Sequence, residues 1–161
     1  MVVVITVEKR NTTMMNNWFE CKIAYRKVME NGLEKNATET YFFEALSFTE
    51  AEKRAIEYIR PFINGEFEVK AVGRKKYSEV FYNDSDAADL WFHAKVMFVT
   101  LDEKTGEEKC SPSFMLVQAA DIRDAIKHLD EQMRGTLGDY TIAEMKVTAI
   151  MDVVRYVAEE M

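Results

Sequence analysis

Hydrophobic and polar residues alternate along residues 18–28, as they do in a strand with one buried face. Phe19, Cys21, Ile23 and Tyr25 fall on one side, and charged residues fall on the other. An Asn-Gly dipeptide follows, and this dipeptide accepts the positive φ of a hairpin turn. The pattern therefore predicts that the fold opens with a β-hairpin, whose second strand starts near residue 40.

A helix is predicted directly after the hairpin. Ser47 and Glu50 form a capping box, in which a hydroxyl and a carboxylate bind free amides at a helix start. Behind this cap, apolar residues recur at steps of three and four and share the helical face that packs on the sheet. They are Phe48, Ala51, Ala55, Tyr58, Ile59 and Phe62. A third strand from Phe67 gives a β-β-α-β unit, to which residues 77–82 can add a fourth strand.

The same order of elements occurs twice. The octet WFECKIAY begins at Trp18 and the octet WFHAKVMF begins at Trp91, and these are the two tryptophans of the chain. The offset of 73 residues becomes 74 after a one-residue insertion, which places Asp121 and Asp124 on the capping box of the first copy. Self-similarity at such a period indicates a duplicated supersecondary unit.

The predicted fold is therefore α+β, a tandem duplication of a β-β-α-β(-β) unit with antiparallel sheets and one helix per unit. A single unit of this size leaves sheet edges and apolar surface uncovered, so we expect a pseudo-twofold arrangement in a single compact body. The predicted parts are an N-terminal extension that can add a strand (1–16), the first repeat (17–83), a linker (84–89), the second repeat (90–157) and a tail (158–161).

The outward side of the first strand differs between the repeats. The first repeat carries charged residues there, whereas the second carries Met97, Val99 and Leu101. Contiguous apolar surface of this kind usually marks an interface. We expect these three residues to be covered, either by another part of the chain or by a second subunit in a homodimer.

Composition and charge limit the kinds of partner that we expect the protein to bind. The 161 residues carry a net charge of -7, which disfavours binding of a phosphate backbone. Cys21 and Cys110 match no metal-ligand spacing, and a reduced, cytoplasmic setting is the default for such cysteines. The apolar start of the chain is too short for a signal segment or a spanning helix, so no membrane association is expected.

Residue types that can act in catalysis are present, but they do not stand at the spacings that catalytic and metal-binding motifs require. His93 and His128 have no further ligands at metal-binding distance along the sequence. No phosphate-binding glycine loop and no nucleophile elbow occurs. We therefore expect no metal, no cofactor and no enzymatic activity.

A basic segment is the main candidate for ligand binding. Arg74, Lys75 and Lys76 precede Tyr77, and such a group can hold a phosphate or a nucleic-acid strand with help from stacking aromatics. The alternative is a solvated strand end, with the tryptophans in the core. The candidate ligand-binding residues are Arg74, Lys75, Lys76, Tyr77, Trp18 and Trp91.

Several segments together carry a resemblance to a family. They are WF-x-x-K in both repeats, LSFTEAE (46–52), GEF (65–67), YSEVF (77–81), MLVQA (115–119) and TAIMDV (148–153). The chain resembles an uncharacterised family, a domain of unknown function, found in gut bacteria of the Bacteroides group and their phages. The resemblance covers residues 17–156 and implies no reaction and no catalytic residue.

These features favour a non-enzymatic binding module. We expect a groove between the duplicated units that takes a small ligand or a protein partner, with a phage or mobile-element association as an open question. The alternative function is binding of single-stranded nucleic acid through sheet aromatics and the segment from Arg74 to Lys76.

Overall fold

The computed structural model describes residues 2–3, 17–136, 138–156 and 158–159. The chain forms two compact units. The first contains described residues up to Lys76 and again from Ile150, and the second is Tyr77–Ala149. The predicted extra strand within residues 1–16 corresponds to Val2–Val3, and residues 4–16 lie outside the described part.

Each unit contains a four-stranded sheet and one helix, as expected for an α+β fold. The first unit has β2 (Trp18–Val28), β3 (Glu34–Glu44), α1 (Phe48–Ile59), a 3-10 turn (Arg60–Phe62), β4 (Phe67–Lys75) and β9 (Ile150–Val154). The second has β5 (Glu79–Phe81), β6 (Leu90–Leu101), β7 (Glu108–Ala119), α2 (Ile122–Gln132) and β8 (Asp139–Val147). A short pair joins β1 (Val2–Val3) to β10 (Ala158–Glu159). Neither α1 nor α2, the helices of the described residues, is long and apolar enough to cross a membrane.

The fourth strand of each sheet comes from the far end of the other repeat. The strand orders are β4-β2-β3-β9 in the first unit and β8-β6-β7-β5 in the second. The β3–β9 and β5–β7 pairs are parallel, and the other pairs within these sheets are antiparallel. This differs from the prediction, which placed residues 77–82 and 150–156 last in their own repeats. A hydrophobic pattern indicates a strand but does not specify its partner, and parallel partners are joined by long crossovers rather than tight turns.

The core of the first unit lies between α1 and one face of the sheet. Phe19, Cys21 and Ile23 of β2 and Phe43 of β3 point into it, together with buried alanines of the helix. This confirms the predicted alternation of β2, because successive side chains of a strand point to opposite faces.

The apolar stripe of α1 is shorter than predicted. Ala51, Ala55 and Ile59 are buried, whereas Phe48 is 52% exposed and Phe62 is 71% exposed. Phe48 occupies the first turn of α1, and Phe62 lies beyond the helix in the 3-10 turn. The expectation that both rings belong to the core was wrong.

The second unit has the same core arrangement. Phe92, Ala94 and Val96 of β6 contact the buried face of α2, which is formed by Ala125 and Leu129. The buried stripe of α2 is also narrow, since Ile122 and Ile126 are 48% and 39% exposed.

In each unit, a side chain near the end of an inner strand, β3 or β7, binds the backbone just after the fourth strand of the sheet, β9 or β5. Glu44 Oε1 accepts a hydrogen bond of 2.7 Å from the backbone N–H of Tyr156. Gln118 Oε1 accepts one of 2.9 Å from the backbone N–H of Asn83. Gln118 follows Glu44 by 74 residues and Tyr156 follows Asn83 by 73, which are the two offsets of the sequence repeat.

A helix side chain makes a second equivalent contact in each unit. Arg54 Nη2 of α1 donates to the carbonyl oxygen of Arg155 at 2.9 Å. His128 Nε2 of α2 lies 2.8 Å from the carbonyl oxygen of Tyr82, to which it donates. The same two offsets relate these residues, so the last strands are anchored to their helices at corresponding points.

The two cysteines should differ in reactivity. Burial raises the pKa of the Cys21 thiol from 9.0 to about 12, whereas Cys110 is exposed. Because the thiolate is the reactive form, we expect Cys110 to react with Ellman's reagent at pH 8 faster than Cys21, which should react only after denaturation. Two equally fast native thiols would contradict the buried position of Cys21.

The same pKa shift gives a pH dependence. Native Cys21 keeps its proton at pH values where the unfolded thiol ionises, so its contribution to stability is complete below pH 9.0. That contribution is lost as the pH rises from 9.0 towards about 12. Urea titrations at pH 8 and pH 10.5 should show a lower free energy of unfolding at the higher pH. Cys21→Ser should reduce this pH dependence, and an unchanged dependence in that variant would exclude the thiol as its source.

Candidate functional site

The predicted ligand-binding residues do not form one surface. Arg74 and Lys75 lie at the end of β4, as neighbours of the start of β2, and Lys76 follows them; all three are exposed. Trp18 and Trp91 are only 5% and 1% exposed. Neither tryptophan presents a ring face on which a base can stack, so the basic segment has no tryptophan platform.

Tyr77 belongs to the second unit and contacts His93. The Tyr77 hydroxyl and His93 Nδ1 share a hydrogen bond of 2.9 Å, with the ring centroids 5.7 Å apart. Burial lowers the pKa of His93, and the positive charge of Lys146 lowers it further. The lowered pKa favours the neutral imidazole at pH 7, so Nδ1 can accept a hydrogen bond from the Tyr77 hydroxyl.

The predicted interface residues lie on the sheet face of β6 away from α2. Met97 and Val99 are partly exposed, and Leu101 is 67% exposed. Phe114 of β7 lies on the same face and is 37% exposed. We call Met97, Val99, Leu101 and Phe114 the apolar row; its role as an interface stays a prediction.

A polar group that the sequence pattern did not indicate lies on the α1 side of the first sheet. The Tyr41 hydroxyl donates to Glu39 Oε1 at 3.1 Å. The Tyr58 hydroxyl, on α1, donates to Asp152 Oδ2 on β9. Tyr25 of β2 interacts with the same Glu39 carboxylate. We call Tyr25, Glu39, Tyr41, Tyr58 and Asp152 the tyrosine–carboxylate cluster.

The cluster holds its tyrosines in the protonated form. Burial is the main cause that raises the pKa of Tyr25, Tyr41 and Tyr58. The negative charge and the hydrogen bonds of Glu39 and Asp152 raise these pKa values further. The phenol groups therefore act as hydrogen-bond donors to the carboxylates over the physiological pH range.

One feature of the sequence points to this cluster, although it belongs to no motif. Asp152 stands in a short strand among Ile150, Val153 and Val154, and an acid inside an apolar strand needs a polar partner. Asp152 lies next to Tyr58 of α1 and Tyr41 of β3 only because β9 pairs with β3.

An open concavity of about 690 Å³ lies at the end of the same sheet. Tyr25 and Phe67, which are cross-strand neighbours on β2 and β4, contribute aromatic surface to it. Its lining carries the cations Arg26 and Lys70 against three glutamates, Glu34, Glu66 and Glu68. Arg26, Thr38 and Glu68 of its lining alternate along their strands with Tyr25, Glu39 and Phe67, so their side chains point to the sheet face opposite the cluster.

In the described part of the chain, no group of three or more His, Cys, Asp or Glu side chains could hold a metal ion. The groups that the tyrosine–carboxylate cluster offers are carboxylate acceptors, phenol donors and aromatic faces. These are suited to binding a ligand by charge and stacking.

The profile of one protein family matches residues 17–156. The chain belongs to this family. It is described as "Domain of unknown function (DUF4494)". The DUF4494 match starts after residues 1–16 and ends at Tyr156, which confirms the predicted extent and the predicted uncharacterised family. No curated protein and no solved structure matches the chain.

Proposed function

We propose that this chain is a non-enzymatic binding module built from two copies of one unit. The equal strand orders, the equivalent bonds to the last strand and the shared offsets support a duplication. A β-bulge in the first strand of each unit supports it as well, between Lys22 and Ile23 and between Lys95 and Val96. A groove between the two copies and an association with phages stay predictions.

The ligand surface in this proposal is the tyrosine–carboxylate cluster. The single observation that carries the proposal is a difference between the units. At the positions of Tyr41 and Tyr58, the second unit has Met115 and Gln132. Met115 is buried in a complete core, so the shared architecture does not require tyrosines there. The two tyrosines add hydroxyl groups and aromatic faces that the second unit lacks, and a binding role accounts for this difference.

Grafting the residues of the second unit tests this assignment. A thermal-shift screen of amino acids, amines, nucleotides and sugars should identify compounds that raise the melting temperature. The double variant Tyr41→Met plus Tyr58→Gln should remain folded and lose that stabilisation, because ligand binding to the native state alone raises stability. A compound that stabilises both proteins equally would place the ligand surface elsewhere.

The same purified protein should show no turnover in a screen of ester and phosphate substrates. Hydrolysis that disappears on changing one carboxylate, such as Asp152→Asn, would contradict the non-enzymatic proposal. The wild-type chain and the Asp152→Asn variant should give the same background rate.

We further propose that the apolar row of the second unit binds a second copy of the chain. Leu101 and Val28 occupy corresponding positions and are equally exposed, at 67% and 66%. Only Leu101 lies in an apolar row, since the neighbour of Val28 on the same face is Arg26. Light scattering should give a dimer mass for the wild type and for Val28→Glu, and a monomer mass for Leu101→Glu. A monomeric wild type would exclude the homodimer.

Binding of single-stranded nucleic acid is the second candidate function. The observation that favours it is the exposure of Arg74, Lys75 and Lys76 at one strand end. Our leading proposal predicts no oligonucleotide binding by fluorescence anisotropy at low salt. Binding that weakens steeply with salt, and that is lost in Arg74→Glu plus Lys75→Glu, would favour the nucleic-acid function instead.

A further inference from the structure

We propose that the tyrosine–carboxylate cluster recognises a guanidinium group, as carried by an arginine side chain. This inference rests on the proposed binding function and gives that function a ligand class. Three features support it: the placement of two carboxylates, the lack of an ion pair to either of them among the described residues, and the aromatic rings beside them.

The two carboxylates lie on the same face of neighbouring strands. Asp152 is the register partner of Tyr41, and Glu39 precedes Tyr41 by two residues on β3. Side chains two residues apart on a strand point to the same face. A planar guanidinium carries N–H groups on several edges and can donate to two carboxylates at once.

No cation of the described residues neutralises this pair. The ion pairs there join Arg26 to Glu34 and Lys70 to Glu68 in the first unit, and neither Glu39 nor Asp152 takes part in one. Glu39 and Asp152 accept hydrogen bonds from tyrosine hydroxyls, and Asp152 also accepts one from the backbone N–H of Val153. Two partly buried carboxylates without a countercharge attract a cation more strongly than exposed carboxylates do.

Aromatic rings border the carboxylates. The Tyr41 and Tyr58 centroids lie 5.8 Å apart, and the Tyr58 and Phe62 centroids lie 5.5 Å apart. Phe62 is 71% exposed, so its ring faces are accessible. Guanidinium groups bind over aromatic faces by cation–π attraction and by stacking of the two planes. This explains the exposure of a phenylalanine that the core does not use.

The second unit provides a comparison within the chain. The positions that correspond to Glu39, Tyr41, Tyr58 and Asp152 are Ser113, Met115, Gln132 and Glu79. They contain one carboxylate instead of two and no tyrosine. We therefore expect a single guanidinium site, in the first unit.

Two sources present this group: an arginine residue within a peptide and a small free guanidine. They differ in whether the neighbouring peptide backbone adds to binding.

Nuclear magnetic resonance titrations of the full chain test this proposal with three probes. They are N-acetyl-Gly-Arg-Gly-amide, agmatine, and the same tripeptide with citrulline, which replaces the guanidinium by a neutral urea of equal shape. We expect the arginine peptide to shift amide signals of β3 and β9, with a Kd on the order of 1 mM for so small a ligand. The citrulline peptide should bind at least tenfold more weakly. Tighter binding of the peptide than of agmatine indicates a protein partner, and the reverse indicates a small guanidine.

Matched variants locate the site. Glu39→Gln and Asp152→Asn should each weaken binding of the arginine peptide about tenfold, whereas Glu108→Gln, at an exposed acid on β7 of the second unit, should leave the Kd within twofold. Phe62→Ala changes an exposed ring and cannot unfold the core, and it should weaken binding about threefold. Equal binding of arginine and citrulline peptides, or variants at Glu39, Asp152 and Phe62 without effect, would overturn the guanidinium assignment.

The outcome separates this inference from the broader proposal. A compound of another class, whose stabilising effect is lost in Tyr41→Met plus Tyr58→Gln, would keep the binding function and exclude the guanidinium. If no compound in the screen depends on these tyrosines, both are wrong.

Discussion

Replacing Val153 by aspartate should reduce the free energy of unfolding of the first unit by about 3–5 kcal/mol, the cost of an uncompensated buried charge. Val153 is 3% exposed and is the register partner of Phe42 on β3. Although Val153 is far from residues 40–43 in sequence, its change should expose them to solvent. Hydrogen exchange should therefore lose protection at residues 40–43, and urea titration should show an earlier unfolding of the first unit.

Met151→Asp is the matched control on the same strand. Met151 is 54% exposed, so this aspartate stays in water and should change the free energy of unfolding by no more than about 0.5 kcal/mol. An equal loss for both variants, or a loss of protection at residues 115–117 instead of residues 40–43, would mean that β9 does not belong to the first sheet.

Phe43→Ala should destabilise the first unit by about 3–5 kcal/mol, the usual range for a buried phenylalanine. Phe43 is 0% exposed and its ring lies 5.6 Å from that of Tyr58 and 6.5 Å from that of Tyr41. The loss combines the transfer free energy of the ring with the cavity that it leaves. It should appear as a lower urea midpoint with an unchanged denaturant slope.

Phe48→Ala provides the comparison for this second variant. Phe48 is 52% exposed and contacts Phe19 at its edge, with centroids 5.0 Å apart. Because half of the ring is already in water, the loss should be about 1 kcal/mol. A larger loss for Phe48→Ala than for Phe43→Ala would contradict the placement of the core.

Local features of the fold were predictable from the sequence. The two helix starts have the predicted caps, because the Ser47 and Asp121 side chains accept hydrogen bonds from the N–H groups of Glu50 and Asp124 at 3.1 Å and 2.8 Å. These signals depend on residues three positions apart, so they need no knowledge of distant neighbours. The alternation of apolar and polar residues along β2 was likewise predictable, because α1 covers only one face of the sheet.

Features that depend on distant residues were not predictable. The short apolar segments 79–81 and 150–154 show that a strand forms, but each is too short to specify a partner. Their parallel pairing depends on which sheet edge completes a core. The tyrosine–carboxylate cluster could not be predicted for the same reason, because Asp152 reaches Tyr58 only through this pairing.

Both tryptophans were also ambiguous at the level of the sequence. An aromatic residue on a strand fits a core and a stacking platform equally well, because the two differ only in what covers the ring. The structure buries Trp18 and Trp91 and leaves Phe62 exposed, a residue that the helical periodicity had assigned to the core.

Nuclear Overhauser contacts across β9 and β5 decide whether the candidate site exists, because the site requires that β9 pairs with β3. We expect interstrand backbone contacts between Phe42 and Val153 in the first unit and between Val80 and Leu116 in the second, in the parallel pattern. Contacts of Val153 with Leu116, and of Val80 with Phe42, would instead place each strand in its own repeat and exclude the tyrosine–carboxylate cluster.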